Sequence, residues 1–351
     1  MRSHAKAALL KIWVKSLLPV AVLGLIAAGW AVAWKFAANA TNTALDEWFA
    51  QERVAGRVWA CADRSVGGFP LRIEVKCAAP TFSGAPGKLP LKGSTGDLLA
   101  SAEAWRPSLV TATIQPPLRL RAGGDQGGVD LDWTSLTAIV QSKYGALELG
   151  SLRLEGAAFT AAWTGYQTIE AKAQSVAVDI RPDPARPNSL LATAAMKNLA
   201  APALDQTLRD NSPLNVSFRA LVSFADALSR PGDGPPLERW RLAGGRVQIE
   251  EAHIDRGPLD IAANGLLDLD GNHRPRGQIA VAASGLDDVL GQFGVPAAAL
   301  AIGGLFGGGD SVGDMPAPAA KKGALRVVAK LENGRASLGP VRLPLALKPL
   351  Y

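Results

Sequence analysis

Residues that build metal, redox and acid–base sites are scarce in this sequence. Its 351 residues include three His, two Cys and three Met. A four-ligand zinc centre would need nearly all of the His and Cys together. No H-E-x-x-H pattern occurs, and the glycine-rich run at 303–309 lacks the Lys-Ser/Thr of a phosphate-binding loop. The sequence therefore predicts no catalytic, cofactor-binding or metal-binding residues, no cofactor, and a protein that is not an enzyme.

Charged residues are also few, at 19%, whereas hydrophobic residues make up 48%, which excludes a disordered chain. The net charge of +6 comes mostly from residues 1–35, which hold five basic residues and no acidic one. The remainder has 32 basic and 31 acidic residues. Because a nucleic-acid-binding domain carries its positive charge on the folded body, we predict no nucleic-acid partner.

The longest uncharged run lies near the N-terminus, at residues 16–33. As a helix it would span ~27 Å, close to the thickness of a bilayer core. Trp30 and Trp34 lie where interfacial aromatic residues are common, and the basic residues before the run place residues 1–15 in the cytoplasm. We predict a transmembrane anchor over residues 16–34 and an exported domain over residues 40–351. A cleaved signal peptide is the alternative, because Ala31-Val32-Ala33 fits a cleavage site; the length of the run favours a retained anchor.

The two cysteines, Cys61 and Cys77, flank a predicted β-hairpin. Residues 71–77 alternate apolar and charged side chains, and a turn containing Gly67, Gly68, Phe69 and Pro70 precedes them. If residues 57–65 pair with residues 71–77, the two cysteines lie opposite each other, within disulfide reach. A disulfide fits an oxidising compartment. Two buried free thiols remain the alternative; the absence of C-x-x-C disfavours a redox pair.

Most of the remaining chain reads as short strands separated by Gly and Pro. Residues 245–285 are typical of a three-strand meander, and Asn333-Gly334 is typical of the turn of a C-terminal hairpin. Helices are predicted over 43–55, over 203–210, and over 286–293 continuing into 296–305. The first has Thr43 as N-cap and an apolar stripe formed by Leu45, Trp48, Phe49 and Ala55. Residues near 307–323 are predicted to form a flexible loop. The predicted fold is mainly β: a large antiparallel, curved or groove-forming sheet with a few helices, preceded by the transmembrane helix.

Two segments carry a family resemblance. The block GRVWACADRSVGGFPLRIEVKCAAP from Gly56 to Pro80 and the ending NGRASLGPVRLPLALKPLY resemble an uncharacterised proteobacterial family, domain of unknown function 2125. The resemblance implies a single-pass inner-membrane protein whose main domain is periplasmic. The strand pattern is similar, more weakly, to AsmA-like proteins, whose long curved sheets are described as holding lipid in an apolar groove.

These observations lead to two hypotheses for function. In the first, the sheet binds or transports lipid or another hydrophobic ligand in the cell envelope. In the second, the protein is a non-catalytic envelope scaffold or assembly partner that binds another protein and no ligand. An apolar face is expected of any packed sheet, so the sequence leaves both hypotheses open.

Overall fold

A long N-terminal helix precedes one large antiparallel sheet in the computed structural model. The structure describes residues 2–85, 90–123, 126–143, 146–229, 234–285, 311–312, 315–316, 318, 324–338 and 341–351. The helices are α1 Arg2–Val54, α2 Pro202–Leu208, α3 Asp226–Ser229 and α4 Pro236–Leu242. In these described ranges the main sheet has 20 strands. Two further strands of two residues each, Ser311–Val312 and Met315–Pro316, form a separate pair.

The strands before the middle of the chain are short. They are β1 Arg57–Ala60, β2 Asp63–Gly67, β3 Arg72–Ala78, β4 Thr81–Gly84, β5 Leu91–Ser94, β6 Leu98–Glu103, β7 Arg106–Ile114, β8 Leu118–Ala122, β9 Gly127–Asp132 and β10 Ser135–Lys143. The later strands are β11 Ala146–Trp163, β12 Ile169–Pro182, β13 Leu190–Leu199, β14 Leu214–Val222, β15 Val247–Arg256, β16 Leu259–Leu269, β17 Pro275–Ser284, β18 Ser311–Val312, β19 Met315–Pro316, β20 Leu325–Glu332, β21 Arg335–Leu338 and β22 Val341–Ala346.

Helix α1 is continuous over 53 residues, or ~80 Å. The sequence predicted a separate helix beginning at Thr43, and this is wrong. Thr43 donates its hydroxyl to the carbonyl of Asn39, four residues earlier, as a threonine inside a helix does. No Gly or Pro lies between the predicted anchor and residue 43 to end the helix. Of the described residues, those in α1 alone form a helix long and apolar enough to cross a membrane.

The first half of the sheet is divided by a crease. The lower half consists of five strands that pair in the order β2–β3–β6–β7–β10. Strand β10 then pairs with the first part of β11. The upper half consists of five strands that pair in the order β1–β4–β5–β8–β9. Strand β9 then pairs with the last part of β11. Each long antiparallel strand of this region therefore consists of one upper and one lower strand. The crease is formed by residues 61–62, 79–80, 95–97, 115–117, 133–134 and 156.

Proline explains two of the strand breaks at the crease. Pro80, Pro116 and Pro117 have no N–H group to donate to a neighbouring strand. In β11 the chain does not break, but Gly156 adopts a φ of +62°, between the part paired with β10 and the part paired with β9. The crease therefore redirects each strand while the two halves stay hydrogen-bonded to their neighbours.

Beyond the crease, the sheet continues as a meander in chain order. Strands β11 to β17 each pair with the next, and β17 is followed in the sheet by β20, β21 and β22. Strands β15–β17 occupy the predicted meander, and Asn333 and Gly334 form the turn between β20 and β21 with φ angles of 53° and 74°. The predicted helix over 286–293 and 296–305 lies outside the described residues, as does most of the predicted loop over 307–323, of which β18, β19 and residue 318 are described.

One face of the sheet is apolar along its length. A single row of residues that lie opposite one another in the register crosses eleven strand pairs without a polar side chain: Val75, Ala100, Ala112, Ala138, Leu152, Val178, Ala194, Phe218, Ala252, Ala263, Val281 and Val327. The residues one position away face the other side and include Glu74, Ser101 and Asp179. We call the first side the apolar face; this alternation is the pattern of an antiparallel sheet with one solvated side.

The register of the first hairpin corrects the sequence-based prediction. Cys61 was expected opposite Cys77, but β2 pairs with β3 so that Arg64 lies opposite Cys77. The turn lies later in the chain than expected: it spans residues 68–71, where the Arg72 amide donates to the Gly68 carbonyl and Gly68 has a φ of +96°. Cys61 instead lies in the crease. Its Cα is 5.3 Å from that of Cys77, and the two form the predicted disulfide.

Candidate functional site

A cavity of about 580 Å³ lies between α1 and the apolar face at the crease. Its helix wall is formed by Leu45, Trp48 and Phe49. Its sheet wall is formed by residues from both the upper and the lower half, among them Val75, Leu98, Ala100, Leu118 and Leu120. The crease therefore positions the cavity, because it brings the apolar side chains of the two halves around one space that the helix covers.

Aromatic rings form much of the wall. The ring centroids of Trp48 and Phe49 are 5.2 Å apart, those of Trp48 and Trp59 are 5.8 Å apart, and those of Trp59 and Phe82 are 4.7 Å apart. These rings connect α1 with β1 and β4 in one contact chain. Aromatic side chains supply a large apolar surface with few rotatable bonds, so this wall is both apolar and stiff.

Among the described residues that line the cavity, Arg64 is the one that carries a charge. Its guanidinium lies 2.6 Å from a carboxylate oxygen of Asp46 and 5.5 Å from the centre of the Phe49 ring. Both partners belong to α1, so Arg64 holds the helix against β2. Thr81, Ser94 and Thr95 are uncharged polar residues of the described lining, and the Thr95 hydroxyl donates to the Gln115 carbonyl at 3.0 Å.

A second ion pair fixes the C-terminal end of α1. The Arg57 guanidinium donates two hydrogen bonds of 2.6 Å to the Glu52 carboxylate, and the Trp59 indole donates a third of 3.1 Å. The bonds from Arg57 are the main cause that lowers the pKa of Glu52 to about 2, against an opposing effect of desolvation. Glu52 is therefore ionised at neutral pH, and the helix end remains paired with β1.

The lower part of α1 contacts the turn between β2 and β3. The indole of Trp30 donates to the Pro70 carbonyl at 2.8 Å, and the indole of Trp34 donates to the Arg72 carbonyl at 2.7 Å. The Trp34 ring also meets Phe69 edge-on at 5.4 Å. The turn residues singled out by the sequence therefore lie at the foot of the helix, below the cavity.

The disulfide borders the cavity directly. Both Cys61 and Cys77 line it, and Cys77 is 6% exposed. The bond joins the crease between β1 and β2 to β3. It therefore crosses the region where the upper and lower halves meet, which is also the region that the cavity needs to keep its shape.

Farther along the apolar face, the cavity ends and a packed core begins. Trp133, 5% exposed, packs there with Leu154, and its indole donates to the Ile114 carbonyl at 2.9 Å. Ile114 and Leu118 belong to both the cavity wall and this core. The apolar face is therefore open at the β1–β8 end and filled at its middle.

The histidines of the sheet do not join the cavity. The Nε2 atom of His253 lies 3.2 Å from the Oδ2 atom of Asp260. His273 stacks on Tyr351 with ring centroids 4.3 Å apart. The Tyr351 hydroxyl donates to Glu238 at 2.7 Å, and the hydrogen bonds from Arg241 first and Tyr351 second lower the pKa of Glu238 to about 2. These contacts attach the C-terminal residue to α4.

No group of three or more His, Cys, Asp or Glu residues that could hold a metal occurs among the described residues. The run at 309–313, GDSVG, matches the G-x-S-x-G pattern of serine hydrolases. That pattern acts at a sharp turn from a strand into a helix, whereas Ser311 and Val312 form β18, paired antiparallel with β19.

The sequence analysis did not predict that a helix would form one wall of a cavity. The stripe formed by Leu45, Trp48 and Phe49 predicted an amphipathic helix, and α1 presents these residues to the sheet. The stripe alone could not show which strands it would meet. The hairpin turn at Asn333 and Gly334 lies at the other end of the sheet and takes no part in the cavity.

Comparison with protein families matches residues 34–345 to a family described as an uncharacterized protein conserved in bacteria, DUF2125. The chain belongs to the DUF2125 family. The match begins within α1 and includes the crease, the disulfide and the whole cavity, so the cavity is part of the DUF2125 domain. No curated protein and no solved structure matches the chain. The AsmA-like resemblance therefore stays a prediction.

Proposed function

We propose that this DUF2125 protein is a membrane-anchored envelope protein that holds an acyl chain of a lipid, or a similar hydrophobic ligand, in the cavity under α1. The observation that carries the proposal is a cavity of about 580 Å³ whose lining, in the part of the chain that the structure describes, includes a single charged residue. Small-molecule sites typically measure about 300–1,000 Å³ and are mostly apolar. The size and chemistry of this cavity therefore fit an aliphatic chain.

The binding energy favours a ligand that would otherwise contact water. Each methylene transferred from water to an apolar site contributes ~0.8 kcal/mol, so about ten methylenes contribute about 8 kcal/mol before the costs of ordering. A chain that leaves a bilayer gains much less, because it is already in an apolar medium. The cavity is thus suited to shelter a chain on the aqueous side of the membrane.

The packed core sets the extent of the proposed site. Trp133 and its neighbours fill the apolar face beyond Ile114 and Leu118. A ligand would therefore occupy the β1–β8 end and would not pass along the whole sheet in this conformation. This favours holding of a ligand over conduction through a continuous channel.

The anchor and its orientation are also part of the proposal. Helix α1 has the length and composition of a membrane span, and the basic residues before it favour a cytoplasmic N-terminus. The Cys61–Cys77 disulfide fits a sheet on the periplasmic side of a bacterial inner membrane. Maleimide labelling of intact cells, before and after reduction, tests this: we expect labelling only after reduction and from the outer side of the membrane.

The lipid proposal is tested by filling the cavity. Ala100 is half-buried in its floor, and Ala100→Phe places a ring in the space. The matched control is Ala195→Phe, on the opposite face of the sheet next to Ala177 and Ser217. Native mass spectrometry of the full chain in a mild detergent should show bound lipid in the wild type and the control, and a loss of it in Ala100→Phe.

Two results would contradict the lipid proposal. The first is a wild-type protein without lipid under these conditions. The second is an Ala100→Phe protein that is folded and retains as much lipid as the control. Crosslinking that captures a stable protein neighbour from the envelope, together with an empty cavity, would favour the scaffold hypothesis instead.

A further inference from the structure

Three large hydrophobic side chains are exposed at the ends of two neighbouring hairpins of the lower half. Phe69 and Leu71 are both 55% exposed in the β2–β3 turn, and Trp105 is 60% exposed in the β6–β7 turn. The two turns lie side by side, because the Ala104 amide donates to the Leu71 carbonyl at 2.9 Å. We call these three residues, together with Pro70, the turn edge.

The position of the turn edge is fixed relative to α1. The hydrogen bonds from Trp30 to Pro70 and from Trp34 to Arg72 place it beside residues 30–34 of the helix. Trp30 belongs to the uncharged run of residues 16–33, and the nearby helix residue Val32 is 71% exposed. The exposed hydrophobic residues of the turns therefore lie at the same level as the end of the apolar part of the helix.

We infer that the turn edge inserts into the interfacial layer of the bilayer that α1 spans. The inference rests on the anchoring part of the proposed function and is separate from lipid binding in the cavity. Trp and aromatic turn residues favour the membrane interface, where one side is apolar and the other is hydrated.

The hydrogen bonds at the turn suit that environment. A carbonyl group without a partner is costly where water is scarce. The indole groups of Trp30 and Trp34 donate to the carbonyls of Pro70 and Arg72, at the outermost part of the hairpin. Those carbonyls are therefore satisfied by the helix itself when water is excluded.

The charges around the turn edge fit a lipid surface better than an apolar protein partner. Arg72 and Arg106 directly follow the exposed Leu71 and Trp105 in the chain, and Lys35 follows Trp34 in α1. Two acidic residues lie nearby: Glu103 is the register partner of both arginines, and Glu74 lies opposite Gly67. This balance is positive. Basic residues near a bilayer surface are attracted to anionic headgroups, by about 1 kcal/mol each.

The inferred contact also sets the distance between the bilayer and the cavity. Val75, in the cavity floor, is four positions after Leu71 along the strand, which corresponds to ~13 Å. Along the helix, eleven residues separate Trp34 from Leu45, or ~16 Å. The inferred contact therefore places the cavity ~13–16 Å from the interfacial layer.

The test uses the full chain in nanodiscs of phosphatidylethanolamine and phosphatidylglycerol, with doxyl-labelled lipid as a fluorescence quencher. Single cysteines are introduced and labelled with nitrobenzoxadiazole, while the native disulfide is left unreduced. The test variants are Leu71→Cys and Trp105→Cys, so that failure of one to fold leaves the other. Val32→Cys reports on the helix. Tyr166→Cys is the matched control, because Tyr166 is 81% exposed in a hairpin turn at the end of the upper half.

We expect the quencher to reduce emission at residues 71 and 105, as at residue 32, and to leave emission at residue 166 unchanged. Quenching at residue 32 with none at residues 71 and 105 would overturn the inference and leave the anchor in place. Absence of quenching at residue 32 would overturn the anchoring proposal, and the inference with it. Lipid binding in the cavity is measured separately by the Ala100→Phe comparison.

Discussion

Loss of the Cys61–Cys77 disulfide should destabilise one end of the sheet and not the other. The bond closes a segment with a sequence separation of 16 residues. In the chain-entropy treatment, a loop of this size contributes ~3 kcal/mol by restricting the unfolded state. Because 1.4 kcal/mol corresponds to a factor of ten, opening of this segment should become roughly 100-fold more frequent.

Hydrogen exchange followed by mass spectrometry measures this effect by region. In the double variant Cys61→Ala/Cys77→Ala, we expect amide exchange over residues 57–84 to accelerate by up to about 100-fold. Strands β16 and β17 lie at a distant part of the meander and should exchange as in the wild type. Reduction of the wild-type protein is the control, because it breaks the bond and keeps both sulfur atoms.

The reasoning would be refuted by either of two results. Equal acceleration in residues 57–84 and in β16–β17 would mean that the bond stabilises the sheet as a whole. Acceleration of less than about threefold at the crease would mean that the hydrogen bonds of the strands already hold this region closed.

Three further predictions concern stability. Gly68→Ala should lower the stability by about 1–2 kcal/mol in urea unfolding, because φ is +96° and the new Cβ would lie 2.8 Å from a backbone oxygen; Gly67→Ala, with no atom within 4 Å, should have a much smaller effect. Trp133→Ala should cost about 3–5 kcal/mol in the same assay, and a cost below about 1 kcal/mol would contradict a packed middle of the apolar face. Glu238 has a pKa lowered from 4.5 to about 2, so its pairing contributes fully above pH 4.5 and is lost as the pH falls toward 2. Glu238→Gln should flatten that part of the curve of melting temperature against pH; an unchanged curve would show that the contact does not stabilise the fold.

Local patterns in the sequence were sufficient for the class of the fold. Alternation of apolar and polar side chains predicted the strands, since successive side chains of a strand point to opposite faces. The uncharged run predicted a helix of membrane-spanning length, and the cysteines predicted the disulfide. These features depend on residues close together in the chain, or on only one pairing.

The candidate site could not be predicted in the same way. Alternation determines which face a side chain occupies but not which strand lies beside it, so the register of the first hairpin was wrong. The crease results from breaks at successive positions such as Pro80 and Pro116, and those breaks align only after the strands pair. Likewise, the stripe on α1 meets the sheet only because the helix continues through residue 43.

By itself, the sequence determined a mainly β chain with an apolar N-terminal helix, one disulfide and one apolar face per strand. Only the tertiary structure decided that the two halves of the sheet meet at a crease, that α1 covers the space there, and that the core fills the face beyond it. The physical reason is that hydrophobic burial has no direction: it selects the residues that avoid water, while long-range packing selects which of them meet and where a space is left.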